Sequence, residues 1–442
     1  MLLRKKVEQC IPENDAKYDV IVCGGGPAGI GAALAAAKHG AKTLLIEARS
    51  FFGGVAGVAL WMPMNRLLLN GGSRGGIHQI FVEKIKAFGE DAYTEGKKTW
   101  VDGDGLHIHP EYLKIAIFEL LEEAGIHYRL YSPVTDVIKE GNQVNGVIVT
   151  GKDGRQSFYA DVVIDSTGDG DVAYLAGAKM VKGREEDGVF MPVSLVFALA
   201  NVDVERAIDF NHNHRDEFNL IMEEAANKGY LTSHFFAFDR STIPGIISVN
   251  NAGVEGIGSL DGTSVRDLII AERAGIQLAL DFVEVARKKK IPGLENCCLM
   301  RTGAGVGVRE TRRIVGDYTI TVEDAINGPE FEDIIARRYG AIDPGGMETR
   351  KDYQTVMKSG HAYPYRSLLP KGIENLIVAG RCGSTTQLGQ AAGKSMGNMM
   401  DLGQAAGIAG ALASQEQVTP RQLEVKKIQD KLVSMGVKLF QH

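Results

Sequence analysis

The stretch Tyr18-Asp-Val-Ile-Val-Cys-Gly-Gly-Gly-Pro-Ala-Gly29 decides the fold of this chain. Its apolar run, Val20 to Cys23, predicts a buried parallel strand that ends in a Gly-rich turn. Ile30 to Lys38 is small and Ala-rich, which predicts a tightly packed helix. A second apolar run, Thr43 to Ile46, predicts the next strand and ends in the acid Glu47.

The three spaced glycines of this turn have different roles. Gly24 permits a tight turn, Gly26 lets the backbone approach a pyrophosphate, and Gly29 lets the helix pack close to the sheet. The helix N-terminus offers free N–H groups to that pyrophosphate. Glu47 can accept hydrogen bonds from ribose hydroxyls but would repel a 2′-phosphate. Because the chain has 54 glycines, the three positions alone are weak evidence, but their full context predicts a site for FAD or NAD.

Composition excludes several other classes. The chain has 442 residues, enough for two or three domains, and a formal net charge of −6 without a dense Lys/Arg block. Nucleic acids and anionic membranes are therefore poor candidate partners. No apolar run is long enough to span a bilayer, and residues 1–17 lack a signal-peptide core, so we expect a flexible lead-in and a cytoplasmic location. The five scattered cysteines contain no CxxC, which argues against a disulfide framework and an iron–sulfur cluster.

The remaining chain predicts a divided nucleotide-binding domain. A β-rich stretch with four short strands, Val134 to Ile138, Gln143 to Thr150, Arg155 to Tyr159 and Asp161 to Ile164, leads to a second Gly-rich turn at Asp165 to Asp171. Polar helical patterns such as Val204 to Lys228 then lie beside strand-like pieces such as His234 to Phe238, and a long helix over Ser264 to Lys288 follows. We therefore predict residues 17–176 as the first part of that domain, 177–300 as a substrate or cap domain, 301–413 as the second part, and 414–442 as a helical tail.

Four motifs carry a resemblance to a known family. They are the first turn with Glu47 and Gly53-Gly54, the turn Asp165-Ser-Thr-Gly-Asp-Gly-Asp171, Gly307-Val-Arg-Glu-Thr-Arg-Arg-Ile-Val-Gly316, and Tyr363-Pro-Tyr-Arg-Ser-Leu-Leu-Pro370 running into Asn375-Leu-Ile-Val-Ala-Gly-Arg-Cys382. Together they resemble the FAD-dependent oxidoreductases of the glutathione-reductase-like superfamily, which has two dinucleotide-binding domains, and within it a broad bacterial family. The resemblance implies an α/β fold. It would combine a Rossmann-like FAD-binding domain, with a parallel sheet plus β-meander, and an inserted α+β substrate domain.

The resemblance also implies where FAD would lie. The pyrophosphate would be held by Gly24, Gly26, Pro27, Ala28 and Gly29. The adenosine end would lie against Glu47, Ala48, Arg49 and the backbone of Val134, with the Gly53-Gly54 loop crossing close by. The central part of the cofactor would pass Thr167, Gly168, Gly380 and Arg381, and the flavin O2 would face the helix that opens around Gly397, Asn398 and Met399.

One departure from the family pattern concerns a proton carrier. Many relatives have a histidine shortly after the Gly-Arg-Cys turn, whereas this chain has Thr386-Gln387-Leu388 there. Gln387 cannot act as a base, so another residue must take that role if it exists. His78, His234 and His361 are possible bases, although each alone is more often structural.

Arginines and tyrosines near the last two motifs are the other candidates. Arg309, Arg312 and Arg313 could bind an anionic substrate, or could pair internally with nearby acids. Tyr363 beside Pro364 could donate to a substrate oxygen. We take Arg309, His361 and Tyr363 as the catalytic candidates. His107 and His109 alternate as in a strand, but a metal site would need a third ligand, so we expect a polar, solvated hairpin and no metal.

The predicted function is an FAD-dependent oxidoreductase that transfers a hydride between a small organic substrate and flavin N5, as a dehydrogenase or oxidase. An electron acceptor of unknown chemistry would reoxidise the flavin, and the chain could form a homo-oligomer. One alternative is an FAD-dependent monooxygenase. Another is a non-catalytic or tRNA-modifying FAD-binding protein, which the negative net charge disfavours.

Overall fold

The computed structural model describes residues 2–69, 72–95, 105–343 and 357–440. The elements of the first part are α1 (Leu2–Glu8), β1 (Lys17–Cys23), α2 (Pro27–Lys38), β2 (Thr43–Ile46), α3 (Val55–Val58), β3 (Met64–Asn65), α4 (Gly76–Lys86), β4 (Tyr93–Glu95), β5 (Gly105–Ile108), α5 (Pro110–Glu123), β6 (His127–Arg129), β7 (Val134–Glu140), β8 (Gln143–Gly151), β9 (Gly154–Asp165) and α6 (Asp171–Ala176).

The later elements complete the fold. Those of the middle part are β10 (Met180–Lys182), β11 (Phe197–Ala200), α7 (Val204–Asn213), α8 (Arg215–Asn227), β12 (Phe236–Arg240), β13 (Ile247–Asn251), α9 (Val265–Lys288) and β14 (Cys298–Thr302). Those of the last part are β15 (Arg312–Ile314), α10 (Val322–Asn327), β16 (Ile334–Gly340), β17 (Met357–Pro364), β18 (Leu376–Val378), α11 (Gln387–Ala391), α12 (Met396–Glu416) and α13 (Val425–Ser434).

A mixed sheet forms the centre of the molecule. Strand β1 pairs in parallel with β2 and β9, β2 pairs with β6, and β18 pairs with β9, while β7, β8 and β9 form an antiparallel meander. This arrangement confirms the predicted α/β fold with a parallel sheet and a β-meander. The two strands predicted within residues 155–164 are one strand, β9, because Ala160 continues the pairing with β1 at Tyr18.

Helices α2 and α12 cross in backbone contact on one face of this sheet. A Cβ on Gly403 would lie 1.9 Å from the carbonyl oxygen of Ala28, and a Cβ on Gly407 would lie 2.1 Å from that of Ala32. Gly31 of α2 meets the carbonyl of Met400 in the same way, at 2.5 Å. Since α12 is buried from Met396 to Ser414, this crossing is the core of the sheet's helical layer.

A second, antiparallel sheet is made by residues of the middle part. Its strand order is β12-β13-β11-β14, and helices α7, α8 and α9 cover one face with a core rich in phenylalanine: Phe197, Phe210, Phe218, Phe236, Phe238 and Phe282. The single helix predicted over residues 204–228 is wrong, because the chain leaves helical geometry at His214 and starts α8 there.

Two terminal predictions also need correction. Residues 2–8 form helix α1 instead of a flexible lead-in, and the tail predicted as helical over residues 414–442 contains the end of α12, a short 3₁₀ turn, Pro420–Gln422, and α13. None of the helices within the described residues is long and apolar enough to cross a membrane.

The glycine crossing predicts a difference between two alanine substitutions in α12. Gly403→Ala should lower the free energy of unfolding by about 2 kcal/mol or more, because its methyl group meets a backbone carbonyl that can move only with α2. Gly410→Ala meets only side-chain atoms, the nearest at 3.3 Å, and gains helix propensity, so its effect should stay within about 1 kcal/mol. Denaturant titration of both variants checks this, and equal effects would contradict the backbone contact.

Candidate functional site

The first Gly-rich turn lies between β1 and α2 as the sequence predicts. Gly24 has φ +100°, and a Cβ there would lie 2.3 Å from the carbonyl oxygen of Ser166, so only glycine fits. Gly26 precedes α2 and no side chain caps the helix, whose first residue is Pro27. The nearest atom to a Cβ on Gly26 would be the Cα of Gly54, at 3.8 Å, so the space in front of the helix N-terminus is open.

Glu47 closes one end of this cradle. Its carboxylate accepts hydrogen bonds from the backbone N–H groups of Gly25 (2.7 Å) and Arg49 (2.8 Å), and the residue is only 8 % exposed. The neighbouring residues Ala48 and Arg49 are exposed at the end of β2, and Val134 is half-buried at the start of β7. The carboxylate is thus fixed by two donors while its outer lone pairs remain available to a ribose.

The later predicted turns converge on the same place. The Arg381 guanidinium lies against Gly168 and forms an ion pair with Asp169 at 2.6 Å. Gly380 has φ +127°, and a Cβ there would lie 3.3 Å from the Cβ of Ala28 at the start of α2.

Thr167 is held in its turn by Asp165. Its N–H and hydroxyl both donate to the Asp165 carboxylate, at 3.0 and 2.8 Å. The turn that follows β9 and the turn that follows β18 therefore meet the turn that follows β1, at one edge of the sheet. Ligands of parallel α/β sheets bind at this carboxyl edge.

A buried polar network holds the start of α12. The Asn398 side chain accepts from Arg74 Nη1 (3.0 Å) and donates to the carbonyl of Tyr339 (2.7 Å), and Arg74 also forms an ion pair with Asp401. His78 Nε2 lies 2.7 Å from the carbonyl oxygen of Gly397, with Nδ1 3.4 Å from Asp401. Burial lowers the pKa of His78 to about 3 and that of Arg74 to about 9. His78 is thus a neutral structural residue.

Two of the three catalytic candidates are neighbours on β17. His361 and Tyr363 are each 1 % exposed, and neither ring nitrogen of His361 has a hydrogen-bond partner among the described residues. Tyr363 Oη lies 2.9 Å from where a Cβ on Gly383 would stand, so this ring borders the Gly380–Gly383 turn. The Arg338 guanidinium lies over the Tyr363 ring, 5.1 Å from its centroid.

The arginine motif divides into two kinds of residue. Arg312 pairs with Asp171, and Arg313 pairs with Glu310 at 2.7 Å, so the internal-pairing alternative describes both. Arg309 instead donates to the backbone carbonyls of Pro192 and Asn251. Its own carbonyl accepts from Gln390 Nε2 at 2.9 Å.

Gln387, which follows the Gly380–Cys382 turn, is also fixed. Gln387 Nε2 donates to the carbonyl of Val189 at 2.8 Å and to the Glu310 carboxylate, and the residue is 1 % exposed. A side chain that is already held in this way has no free role in proton transfer.

Comparison with known proteins identifies the family. The model of the family described as FAD dependent oxidoreductase matches residues 19–432. The chain belongs to the FAD-dependent oxidoreductase family. Its cofactor is therefore FAD.

Individual relatives are more distant. The chain is 27 % identical over 195 residues to a digeranylgeranylglycerophospholipid reductase of Thermoplasma acidophilum, over 42 % of this chain and 48 % of the relative. A 3-oxosteroid 1-dehydrogenase of Mycolicibacterium smegmatis is 34 % identical over 89 residues, 18 % of this chain and 16 % of the relative. The chain thus spans about half the length of the reductase and less than half the length of the dehydrogenase. A solved triple mutant of a flavin-dependent brominase shares the fold, with a TM-score of 0.50 and 14 % identity over 94 % of this chain and 84 % of the other.

The residues present fit FAD. The space in front of Gly26, the uncapped N-terminus of α2 and the fixed Glu47 carboxylate suit a diphosphate and a ribose. The buried hydroxyl of Ser166, beside Gly24 and Gly29, has no partner among the described residues and suits a polar cofactor atom. No group of three metal-ligating side chains converges within the described ranges, and the five cysteines are free thiols.

Sequence reasoning missed a buried titratable pair behind Trp61. His107 Nδ1 donates to the Trp61 carbonyl at 3.0 Å and lies 3.9 Å from Asp239 Oδ1. Burial raises the pKa of Asp239 to about 8 and lowers that of His107 to about 4, so both are neutral at pH 7. The predicted solvated hairpin is wrong because β5 is buried along its whole length, with His107 close to Asp239 of β12, and His109 lies outside β5 as the N-cap of α5.

The Glu47 contacts predict a loss of FAD affinity in Glu47→Gln. The amide keeps one acceptor but loses the charge that strengthens its hydrogen bonds, so FAD should bind about tenfold more weakly, roughly 1.4 kcal/mol. The flavin-to-protein ratio after gel filtration and FAD titration of the stripped protein measure this. Glu90→Gln, at an exposed position, is the control. Undiminished affinity in Glu47→Gln would contradict the ribose assignment.

The Asp239 carboxyl predicts a pH-dependent stability. The folded pKa of the Asp239 carboxyl, about 8, lies above the ordinary value of 3.8. Its contribution to the free energy of unfolding is therefore fully present below pH 4 and is lost as the pH rises through 8. Asp239→Asn should therefore gain stability relative to the wild type over that window, by at most about 1.4 kcal/mol per pH unit. Melting temperatures from pH 4 to 9 check this. The exposed Asp216→Asn should show no such trend.

Proposed function

We propose that this protein oxidises a small organic substrate by hydride transfer to FAD, as a dehydrogenase or an oxidase. The observation that carries the proposal is His361, a fully buried histidine beside Tyr363 and the Gly380–Gly383 turn whose two ring nitrogens have no partner among the described residues. A buried polar side chain without a partner is costly in a stable core. The cost is explained if a bound molecule completes its hydrogen bonds.

The convergent turns would hold the cofactor. The N-terminus of α2 would bind the diphosphate, Glu47 the ribose, and the turns at Thr167–Gly168 and Gly380–Arg381 the middle of the molecule. The first turn of α12, which no side chain caps, would face the flavin pyrimidine with its N–H groups. Bound FAD supplies a hydride acceptor at N5.

The proton chemistry would fall to His361 and Tyr363. Burial lowers the pKa of His361 to about 3, so at pH 7 the ring is neutral and has one nitrogen lone pair. A group with so low a pKa is a weak base, so the lone pair would first orient an alcohol or amine by accepting its hydrogen bond. It would take the proton as the hydride leaves, because the substrate O–H or N–H then becomes strongly acidic. Burial raises the pKa of Tyr363, so its hydroxyl stays protonated and can donate to a substrate oxygen.

The direct test is an anaerobic screen. The purified, FAD-loaded protein is mixed with pools of alcohols, amines and CH–CH substrates, and loss of the flavin band near 450 nm is recorded. The proposal expects one substrate class to bleach the flavin without NAD(P)H. Bleaching only by NADPH, followed by oxygen uptake coupled to hydroxylation, would contradict it and support the monooxygenase alternative. Bleaching by no class, together with a salt-dependent mobility shift with tRNA, would support the tRNA-modifying alternative.

We expect His361→Asn to lose reduction of the flavin by substrate while it retains the cofactor. Removal of the proton acceptor should slow substrate-dependent bleaching by about 10²- to 10⁴-fold, while the flavin-to-protein ratio and the melting temperature stay close to wild type. His234→Asn is the matched control, because His234 is exposed and ion-paired with Glu255. Bleaching at the wild-type rate in His361→Asn would exclude this residue as the proton acceptor.

A further inference from the structure

Arg309 is a cation whose guanidinium is held by two backbone carbonyl groups. Its Nη1 donates to the carbonyl of Pro192 at 2.6 Å and its Nη2 to the carbonyl of Asn251 at 3.1 Å. Burial lowers the pKa of Arg309. Among the ion pairs of the described residues, none joins this guanidinium to a carboxylate. The side chain is thus oriented by backbone dipoles, and Asp343, the carboxylate that acts on its charge without an ion pair, is bound to Lys394.

Arg338 repeats this arrangement on β16. Its Nε donates to the carbonyl of Gly393 at 3.0 Å and its Nη2 to that of Gln390 at 3.1 Å, and the residue is 1 % exposed. No carboxylate of the described chain lies within ion-pair distance of it. Since Gln390 also donates to the carbonyl of Arg309, both arginines are fixed by the segment that begins with α11.

Lys394, on the same segment, brings a third cation. Its amino group binds the backbone carbonyl of Asp343 and, at 2.8 Å, its carboxylate. Burial lowers the pKa of Lys394, and the charges of Arg309 and Arg338 lower it further. The three cations therefore repel one another. Among the described carboxylates, that of Asp343 is the one paired with this cluster, through Lys394.

Polar atoms without a partner lie near these cations in the sequence or across a strand pair. His361 faces Arg338 across the β16–β17 pairing, and neither of its ring nitrogens has a partner among the described residues. Gln390 Oε1 and Ser395 Oγ, on either side of Lys394 in the sequence, are also buried and unpaired. Positive charge in partly buried surroundings, beside polar atoms that lack partners, is unfavourable unless an anion enters.

We propose that Arg309, Arg338 and Lys394 form a binding site for an anionic group, a carboxylate or a phosphate, of the substrate. The inference rests on the proposed function, since it assigns a substrate class to the same enzyme. The cofactor diphosphate already has the N-terminus of α2, so this cation cluster is left for another anion. Planar guanidinium groups bind carboxylates and phosphates through paired hydrogen bonds, which fits two arginines whose orientation is fixed beforehand.

The test uses the FAD-loaded protein and two probes, sodium acetate and sodium phosphate, at constant ionic strength maintained with sodium chloride. Binding is followed by the flavin absorbance difference spectrum and by the melting temperature. We expect saturable binding of at least one probe, and the stronger probe indicates whether the substrate carries a carboxylate or a phosphate.

Variants separate the cluster from general charge effects. Arg309→Gln and Lys394→Gln should each lower the affinity for the preferred probe by about tenfold or more. Lys394→Arg keeps the charge, so its affinity for the probe should stay within about threefold of the wild-type value. Arg301→Gln removes an exposed arginine of β14 and should leave binding unchanged.

Two outcomes overturn the inference while the proposed function stands. One is substrate-dependent bleaching in a protein for which neither probe gives a saturable effect. The other is equal probe affinity in the wild type, Arg309→Gln and Lys394→Gln. If instead both probes bind through these residues and no substrate class bleaches the flavin, the anion site stands and the dehydrogenase or oxidase assignment fails.

Discussion

The contact between α2 and α12 is the constraint on which the rest of the structure depends. Glycines at Gly31, Gly403 and Gly407 let the two backbones touch, so neither helix can move without the other. This contact fixes the N-terminus of α2, where the cradle opens, relative to the N-terminus of α12. Two positive helix ends are thereby held on one side of the sheet, which suits a long, negatively charged cofactor.

Buried charge is arranged differently in two neighbouring parts of this layer, which meet at the carbonyl of Gly393. Beneath the first turn of α12, Arg74 and Asp401 neutralise each other and His78 is neutral, which makes a rigid structural support. Near α11, Arg309 and Arg338 donate to backbone carbonyl groups and have no ion pair with a carboxylate among the described residues. A buried ion pair neutralises its own charge, whereas a buried charge without such a partner is costly unless a ligand completes it. The contrast separates a supporting part of the site from the part to which we assign a ligand.

Features coded by local sequence could be predicted. The strand, Gly-rich turn and helix around Gly26 follow from contiguous residues, and β1, α2 and β2 are observed where the sequence places them. The role of Arg338 and the pair formed by His107 and Asp239 could not, because each depends on partners more than forty residues away in the chain. The break at His214 was missed since the helical pattern continues through it.

The identity and amount of the bound cofactor test the central claim most directly. The protein is purified without added flavin, its visible spectrum is recorded, and the released cofactor is identified by chromatography and mass spectrometry. The account predicts a yellow protein that releases FAD, close to one molecule per chain after reconstitution. A colourless protein that takes up no added FAD, or one that retains NAD instead, would contradict it.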